Sequence, residues 1–389
     1  MTPGDSKDET LDHDLASLSS EVRRRLDNAG FDSARLKKLA ATLVGGASGD
    51  ARRDGRNRVR EVKAPSSDEI LVAPTRGTPE AKHLLALGEA AIARGEVAFC
   101  VMAGGMATRM GGVVKALVEA VPGKTFLDLR LAENKTISDR VGRPVPLWLM
   151  TSEATQEGIA SALANSQAPA HVKTFTQDLG LRLTAEGRLF VDGEGEPSVY
   201  ATGHGDLVDA LRRSGLLRAF RQAGGRYVWI ANLDNLGASL DPTILGAFIS
   251  SSSEVMVEVC EKASGDKGGI PVHAEGRLQV LEEFRLPKDF DASLVRVFNT
   301  NTFLVRADAL ETVDIPWSWF EVEKKVDGKV AIQFERLLQE LTGALSATYI
   351  RVPREGTASR FLPVKDHDEL ARRQTEIASV ARARGMLEK

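Results

Sequence analysis

Apolar residues run almost without interruption through several short segments. These are "VAFCVMA" (97–103), "VPLWLMT" (145–151), "YVWIAN" (227–232), "EVMVEVC" (254–260) and "NTFLVRA" (301–307). Stretches with helical spacing lie between several of them, beginning with "KHLLALGEAAIARG" (82–95). Strands that are apolar on both faces and alternate with helices predict a mostly parallel sheet covered on both sides. The expected fold class is therefore α/β, Rossmann-like, with a mixed, mostly parallel sheet. Sheets of that kind bind ligands at the carboxyl ends of their strands, near a topological switch point.

The first 80 residues follow another pattern. "LSSEVRRRLDNAGF" places Leu18, Val22 and Leu26 on one helical face, and "DSARLKKLAATLVGG" does the same with Leu36, Leu39 and Leu43. Gly30 and Gly45 read as helix stops. The polar, aperiodic "ASGDARRDGRNRVREVKAPSSDE" that follows reads as a solvated linker whose arginines are candidates for an anion. The expected division is a helical N-terminal segment with linker over 1–80 and a larger unit over 81–389, which ends in a helix after Asp366.

Composition narrows the function. The chain has 389 residues, 42% of them hydrophobic and 27% charged, with a formal net charge of -3. Such a chain carries no global basic field to attract nucleic acid, and no apolar run reaches membrane-spanning length. The acidic N-terminus lacks a signal-peptide core, and two cysteines in apolar runs, Cys100 and Cys260, read as buried free thiols. The expectation is a cytoplasmic protein without a structural zinc site.

The chemistry concentrates in "FCVMAGGMATRMGGVVKALV" (99–118), where an apolar strand stops at a run of glycines and a lysine follows. The dinucleotide fingerprint fails there, because Met106 stands where its second glycine belongs. "PGKT" at 122–125 is no phosphate loop, since Val118 holds the position of its first glycine. Two readings stay open: a loop whose bare backbone approaches a triphosphate while Lys115 supplies a point charge, or a tight turn needing glycine for torsion alone. In "YVWIANLDN" an apolar strand delivers Asn232 and Asp234 to its carboxyl end, where an unpaired carboxylate asks for a cation.

These blocks, with "KTFLDL", "GHGDLVDAL", "EVCEKASGDKGG", "VLEEFRLP", "FNTNTFLV" and "VPREGTASRFLPVKDHDEL", follow in an order that resembles the eukaryotic-type UTP–glucose-1-phosphate uridylyltransferases over roughly residues 85–370. The resemblance implies a nucleotidyltransferase fold and a reaction of UTP with glucose 1-phosphate that yields UDP-glucose and pyrophosphate. It implies a nucleotide site of Met102, Ala103, Gly104, Gly105, Lys115, Gln177 and Gly203, with Gln177 reading the uracil edge. It implies a sugar-phosphate site of His204, Asn232, Gly269, Glu282, Asn299 and Asn301, and a Mg²⁺ ligand in Asp234. Lys115 and Lys365 are the implied catalytic lysines.

Four features depart from the family pattern. Ala107 replaces a glycine, Val114 replaces the proline before Lys115, "TSEAT" leans toward the acetylhexosamine relatives, and "VPREGTASRF" carries extra residues. The chain also stops about two dozen residues after Lys365, where eukaryotic members continue into a left-handed β-helix that mediates oligomerisation. The expectation is a monomer. The rival readings are a pyrophosphorylase for N-acetylglucosamine 1-phosphate or for many UDP-sugars, and a non-catalytic UTP-binding protein.

Overall fold

The structure is a computed structural model that describes residues 5–44, 49–107, 110–263, 265–266 and 268–388. At its centre is an eight-stranded sheet. In chain order its strands are β1 (Ile70–Val72), β2 (Val97–Met102), β3 (Leu147–Thr151), β4 (Val172–Thr176), β5 (Tyr227–Asn232), β6 (Val255–Glu261), β7 (Val297–Arg306) and β8 (Ala347–Arg351). Across the sheet the order is β1-β8-β6-β7-β5-β2-β3-β4. Strand β7 is antiparallel to both neighbours, and every other pair is parallel. The sheet is thus mixed and mostly parallel, as the apolar runs predict.

Its strands are hydrophobic because both faces are covered. All of β2 and β3 is buried, and in β5 only Asn232, at the end, is not. The chain runs from β2 to β3 on one side and later places β5 on the other side of β2. That reversal opens a crevice between the carboxyl ends of β2 and β5.

Strand β7 carries an irregularity. Thr302 pairs with Glu258, but the next ladder pair joins Asn299 to Val259, so two residues bulge out of register. Asn301 lies in that bulge with φ at 60°, a left-handed conformation that asparagine tolerates better than most residues.

The N-terminal helices Ser20–Asn28 and Ser33–Ala41 build a second, smaller core. Val22, Leu26, Leu36 and Leu43 are buried, together with Leu179, Leu181, Ile332 and Phe334 from two peripheral hairpins. Leu18 and Leu39 pack against them. Gly30 ends its helix with φ at 67°, whereas Gly45 lies outside the described residues.

The expected linker is corrected in two places. Gly49–Asn57 is a helix, and its arginines neither dangle in solvent nor await an anion. Arg52 grips Glu321 at 2.8 Å, and Arg53 pairs with Glu323. Ile70–Val72, before the expected boundary at residue 80, pairs with Tyr349–Arg351 as the edge strand of the central sheet.

Candidate active site

A cavity of about 450 Å³ occupies the crevice between β2 and β5. Its floor is the glycine loop: Met102, Ala103, Gly104, Gly105 and Met106 line it, joined by Met150 from β3. The loop folds back as a short hairpin in which Met106–Ala107 pairs with Val113–Val114, and the Lys115 amide donates to the Gly105 carbonyl at 3.2 Å. Thr108 and Arg109 lie outside the described residues.

The departures from the family pattern fit this hairpin. Val114 takes φ of -63°, the angle a proline would impose. Ser152, in "TSEAT", donates its hydroxyl to the Gly104 carbonyl at 2.9 Å and so pins the loop to the start of helix Glu153–Asn165. A Cβ on Gly104 would lie within contact distance of the Gln177 side-chain oxygen, so the bare backbone is what lets the Gln177 amide sit against the loop. The loop is therefore more than a tight turn, because bare backbone lines a cavity.

Lys115 and Asp234 face each other across the cavity, with Nζ 2.5 Å from Oδ2. Both are partly accessible, at 22% and 15% exposure. Asp234 follows β5, and the end of that strand is clamped from behind. The fully buried Arg130 donates to the carbonyls of Asn232, Leu233 and Asn235 and pairs with Glu133 at 2.7 Å. Those bonds use backbone carbonyls a parallel strand leaves open at its end, and they hold Asn232 and Asp234 in place.

The opposite wall is a network of buried charge. Gln177 follows β4, and its Nε2 lies 3.4 Å from the Gly203 carbonyl and 3.5 Å from the Asp206 carboxylate. Gly203 has φ of 101° and packs on the Arg336 carbonyl, where no side chain fits. Asp206 accepts from Thr202 and Arg336, both at 2.7 Å. Arg336 also pairs with Asp178 and Asp209, and Trp317 and Trp319 lie beside its guanidinium. Burial pushes Asp206 up to about 6, against the pull of Arg336.

His204 lines the same wall. Its Nδ1 accepts the Leu338 amide at 3.0 Å, which fixes the proton on Nε2. Desolvation pulls its pKa down to about 4, so the ring is neutral near pH 7.

The remaining sugar-phosphate candidates extend outward from Asn232 as a chain of hydrogen bonds. Asn301 Nδ2 donates to Asn232 Oδ1 at 3.0 Å, and the Asn301 amide donates to Asn299 Oδ1 at 2.9 Å. The Asn299 amide reaches the Gly269 carbonyl at 2.8 Å. Glu282 accepts from Gln339 Nε2 at 2.6 Å and from the Gly269 amide, and burial raises its carboxyl above the usual range. Asn301 Oδ1 and Gln339 Oε1 are buried without a partner among the described residues. The bulge in β7 is what turns Asn301 toward Asn232.

The structure therefore gathers Met102, Ala103, Gly104, Gly105, Lys115, Gln177, His204, Asn232 and Asp234 around one cavity, with Gly203 at its edge and the other four in the adjoining chain of bonds. It does not bring Lys365 there. Lys365 is exposed, its amide is bonded to Glu369, and its charge acts on Asp266. Lys267 of "KGG" lies outside the described residues. Among the described residues there is no cluster of three or more metal-type ligands, and Asp234 is the carboxylate among the residues that line the cavity.

Sequence reasoning missed Arg336, Asp178 and Gln339. Arg336 lies 130 positions from Asp206, just past the peripheral strand Lys329–Glu335 and outside the glycine-rich blocks, so nothing local ties it to the cavity. Asp206 was visible inside "GHGD", but its role depends on Arg336.

Known proteins resemble this chain in sequence and in fold. The family model for UTP–glucose-1-phosphate uridylyltransferase matches residues 59–388. The uridylyltransferase of Astragalus penduliflorus is 33% identical over 353 residues, which covers 82% of this chain and 70% of that protein. The Musa acuminata enzyme of the same name is 36% identical over 297 residues, which covers 70% of this chain and 61% of that one. This chain therefore spans about two thirds of the length of these curated relatives.

Among solved structures, the UDP-N-acetylglucosamine pyrophosphorylase of Trypanosoma brucei superposes with a TM-score of 0.72 at 21% identity, covering 94% of this chain and 81% of that one. A mutant UDP-glucose pyrophosphorylase of Leishmania major gives 0.70 at 23%, covering 91% and 79%. At those identities the structures speak to the fold alone. The match over residues 59–388, with the sequence identities above, places this chain in the UTP–glucose-1-phosphate uridylyltransferase family.

Proposed function

We propose that the chain is a nucleotidyltransferase that makes UDP-glucose and pyrophosphate from UTP and glucose 1-phosphate. The observation that carries this reading is the pairing of Lys115 with Asp234 across a cavity floored by bare glycine-loop backbone. A phosphate oxygen of glucose 1-phosphate attacks the α-phosphorus of UTP, and the bond from that phosphorus to the bridging oxygen breaks. Pyrophosphate then leaves with the electron pair. The attacking oxygen is already anionic, so the site needs no general base. What it must do is bring two anions together and hold them in line.

The loop from Ala103 to Gly105 cradles the nucleotide, and Gln177 and the Gly203 backbone address the uracil edge. An amide whose Nε2 is turned toward Asp206 and the Gly203 carbonyl keeps Oε1 for the base, which suits the N–H of uracil. Neutral His204 offers Nε2–H to the sugar phosphate, with Asn232. The Asn301–Asn299–Gly269–Glu282 chain addresses the hexose hydroxyls.

Mg²⁺ fits a single carboxylate beside phosphates, because this ion keeps most of its shell for water and substrate oxygens. Asp234 would hold it, and it would supply charge neutralisation at the triphosphate. Lys115, released from Asp234 as ligand arrives, sits against the phosphates where charge grows during transfer. Lys365 belongs to this reading by resemblance alone, and its test is separate. Near-normal turnover of Lys365→Ala at saturating substrate removes it from the reaction.

The whole reading is tested by pyrophosphate release over a panel of sugar 1-phosphates and nucleoside triphosphates. Turnover is expected with glucose 1-phosphate and UTP. A preference for N-acetylglucosamine 1-phosphate would reassign the sugar, and UTP binding without turnover of any sugar phosphate would make the chain a binding protein. A monomer in the cytoplasm is the setting this reading supposes. Among the described residues no helix is long and apolar enough to cross a membrane.

A further inference from the structure

Asp206 is fully buried and does not line the cavity, yet the cavity depends on it through Gln177, which does. The two ends of a primary amide are alike in shape and opposite in chemistry, one accepting and one donating. Which end faces a ligand is decided by what stands behind the amide. Behind Gln177 stand two acceptors, the Gly203 carbonyl at 3.4 Å and Asp206 Oδ2 at 3.5 Å from Nε2. Turning the amide over would set its oxygen against both of them. Oε1, which has no hydrogen-bond partner among the described residues, is the end left for a ligand.

Asp206 is itself held in one orientation. Its Oδ1 accepts from Thr202 Oγ1 and from Arg336 Nε, both at 2.7 Å, so Oδ2 is the oxygen left for Gln177. The guanidinium of Arg336 is anchored in turn by Asp178 and Asp209. The two pyrimidines differ where such an amide would meet them. Uracil carries an N–H at ring position 3 and an oxygen at position 4, whereas cytosine carries a bare nitrogen and an amino group. An Oε1 locked toward position 3 accepts from uracil and meets a lone pair in cytosine. An amide free to turn over would take either base.

We propose that Asp206 is the positioning residue that sets the choice of base: by taking the donor end of the Gln177 amide, it presents Oε1 to the nucleotide and selects uracil over cytosine. The inference rests on the reading of the cavity as a uridine-nucleotide site. It makes a particular claim about Asp206→Asn. Arg336 Nε can only donate, so the side-chain oxygen of that variant stays with Arg336 and Thr202, and its amide nitrogen takes the place of Oδ2. Gln177 then has one donor and one acceptor behind it, and neither end of its amide is preferred.

Acid should act on the wild type in the same way. Burial pushes Asp206 up to about 6, and with Oδ1 facing two donors the added proton sits on Oδ2 and is offered to Gln177. The charged groups facing Asp206 are Arg336, with Asp178 and Asp209 on the same guanidinium, and Arg35 from the N-terminal helices. Burial raises the Tyr200 hydroxyl, which stays neutral, and His204 in the same turn is neutral down to about 4.

The test is calorimetric titration of the full chain with UTP and with CTP. It reads binding, so a chain that binds UTP without turning over any sugar phosphate would defeat the activity proposed above and leave this inference standing. The wild type is expected to bind UTP on the order of 10²-fold more tightly than CTP. Asp206→Asn is expected to lower that ratio about tenfold, whereas general damage to the fold would weaken both nucleotides alike and leave the ratio unchanged. If the variant does not fold, the wild type decides: its ratio is expected to fall about threefold from pH 7.5 to pH 5.5, a window in which neither base titrates. A wild-type ratio near one overturns the proposal, as does an unchanged ratio in Asp206→Asn or, failing that variant, in the wild type between the two pH values. No binding of UTP overturns it together with the uridine reading.

Discussion

The two walls of the first cavity are built on opposite principles. On the Gln177 side, charges are buried and already satisfied by one another: Arg336 serves three aspartates, one of which also accepts from Thr202. On the Lys115 side, one cation and one carboxylate face each other at 2.5 Å, partly accessible, and among the described residues no other side chain joins the pair. The first wall keeps one shape whatever enters. The second wall can exchange its internal ion pair for ligand contacts at little cost, because a partly solvated pair is weakly held. A site that must read a base and also accept a triphosphate needs both kinds of surface.

The comparison can be broken most severely at Arg336. Removing it leaves the buried Asp206 without a cation, and leaves Asp178 to Arg213 and Asp209 to Arg212, so Arg336→Ala is expected to lose about 3–5 kcal/mol of stability, measured by urea unfolding. If the variant unfolds like the wild type, the first wall is not locked as described. The second wall answers to rate instead. Lys115→Ala is expected to lower turnover about 10²–10³-fold, with the urea midpoint nearly unchanged, as seen in a pyrophosphate-release assay. A large stability loss there would make the Lys115–Asp234 pair structural.

A smaller effect sharpens the first wall. His204 has a folded pKa of about 4, below the ordinary value of 6.5, so the unfolded chain binds the proton more readily. Its contribution to stability is complete above pH 6.5 and is lost as the pH falls toward 4. Between pH 7 and pH 5 the wild type should lose on the order of 1 kcal/mol more than His204→Asn. Equal pH profiles in urea unfolding would mean that the ring is not held neutral. The smallest effect lies outside both walls. Arg25 and Glu153 form a bidentate but partly exposed pair between the N-terminal helices and helix Glu153–Asn165. Arg25→Ala is expected to cost less than about 1 kcal/mol and to leave turnover intact.

What could be read from the sequence follows from where each signal resides. The strands β2, β3 and β5 were plain because two-sided burial writes an unbroken apolar run. β1 escaped notice because it is three residues long and half exposed at the sheet edge. Helix Gly49–Asn57 reads as a linker in the sequence because it binds its neighbour through arginines rather than through an apolar stripe. At the site, residues in glycine loops and strand ends announced themselves by their local setting. Arg336 did not, since its meaning arises from residues far away in the chain. Lys365 shows the reverse case: its local motif stands out in the sequence, yet it is set apart from the cavity.

The irregularity in β7 has an evolutionary and practical consequence. A strand with two surplus residues stores positional information that no side chain holds by itself. Trimming the surplus would mend the ladder and leave a sound sheet, yet it would swing the amide that meets Asn232 to a different bearing. Length, at this one spot, is as much a part of the recognition surface as chemistry, so homologues aligned here deserve comparison by gaps as well as by letters.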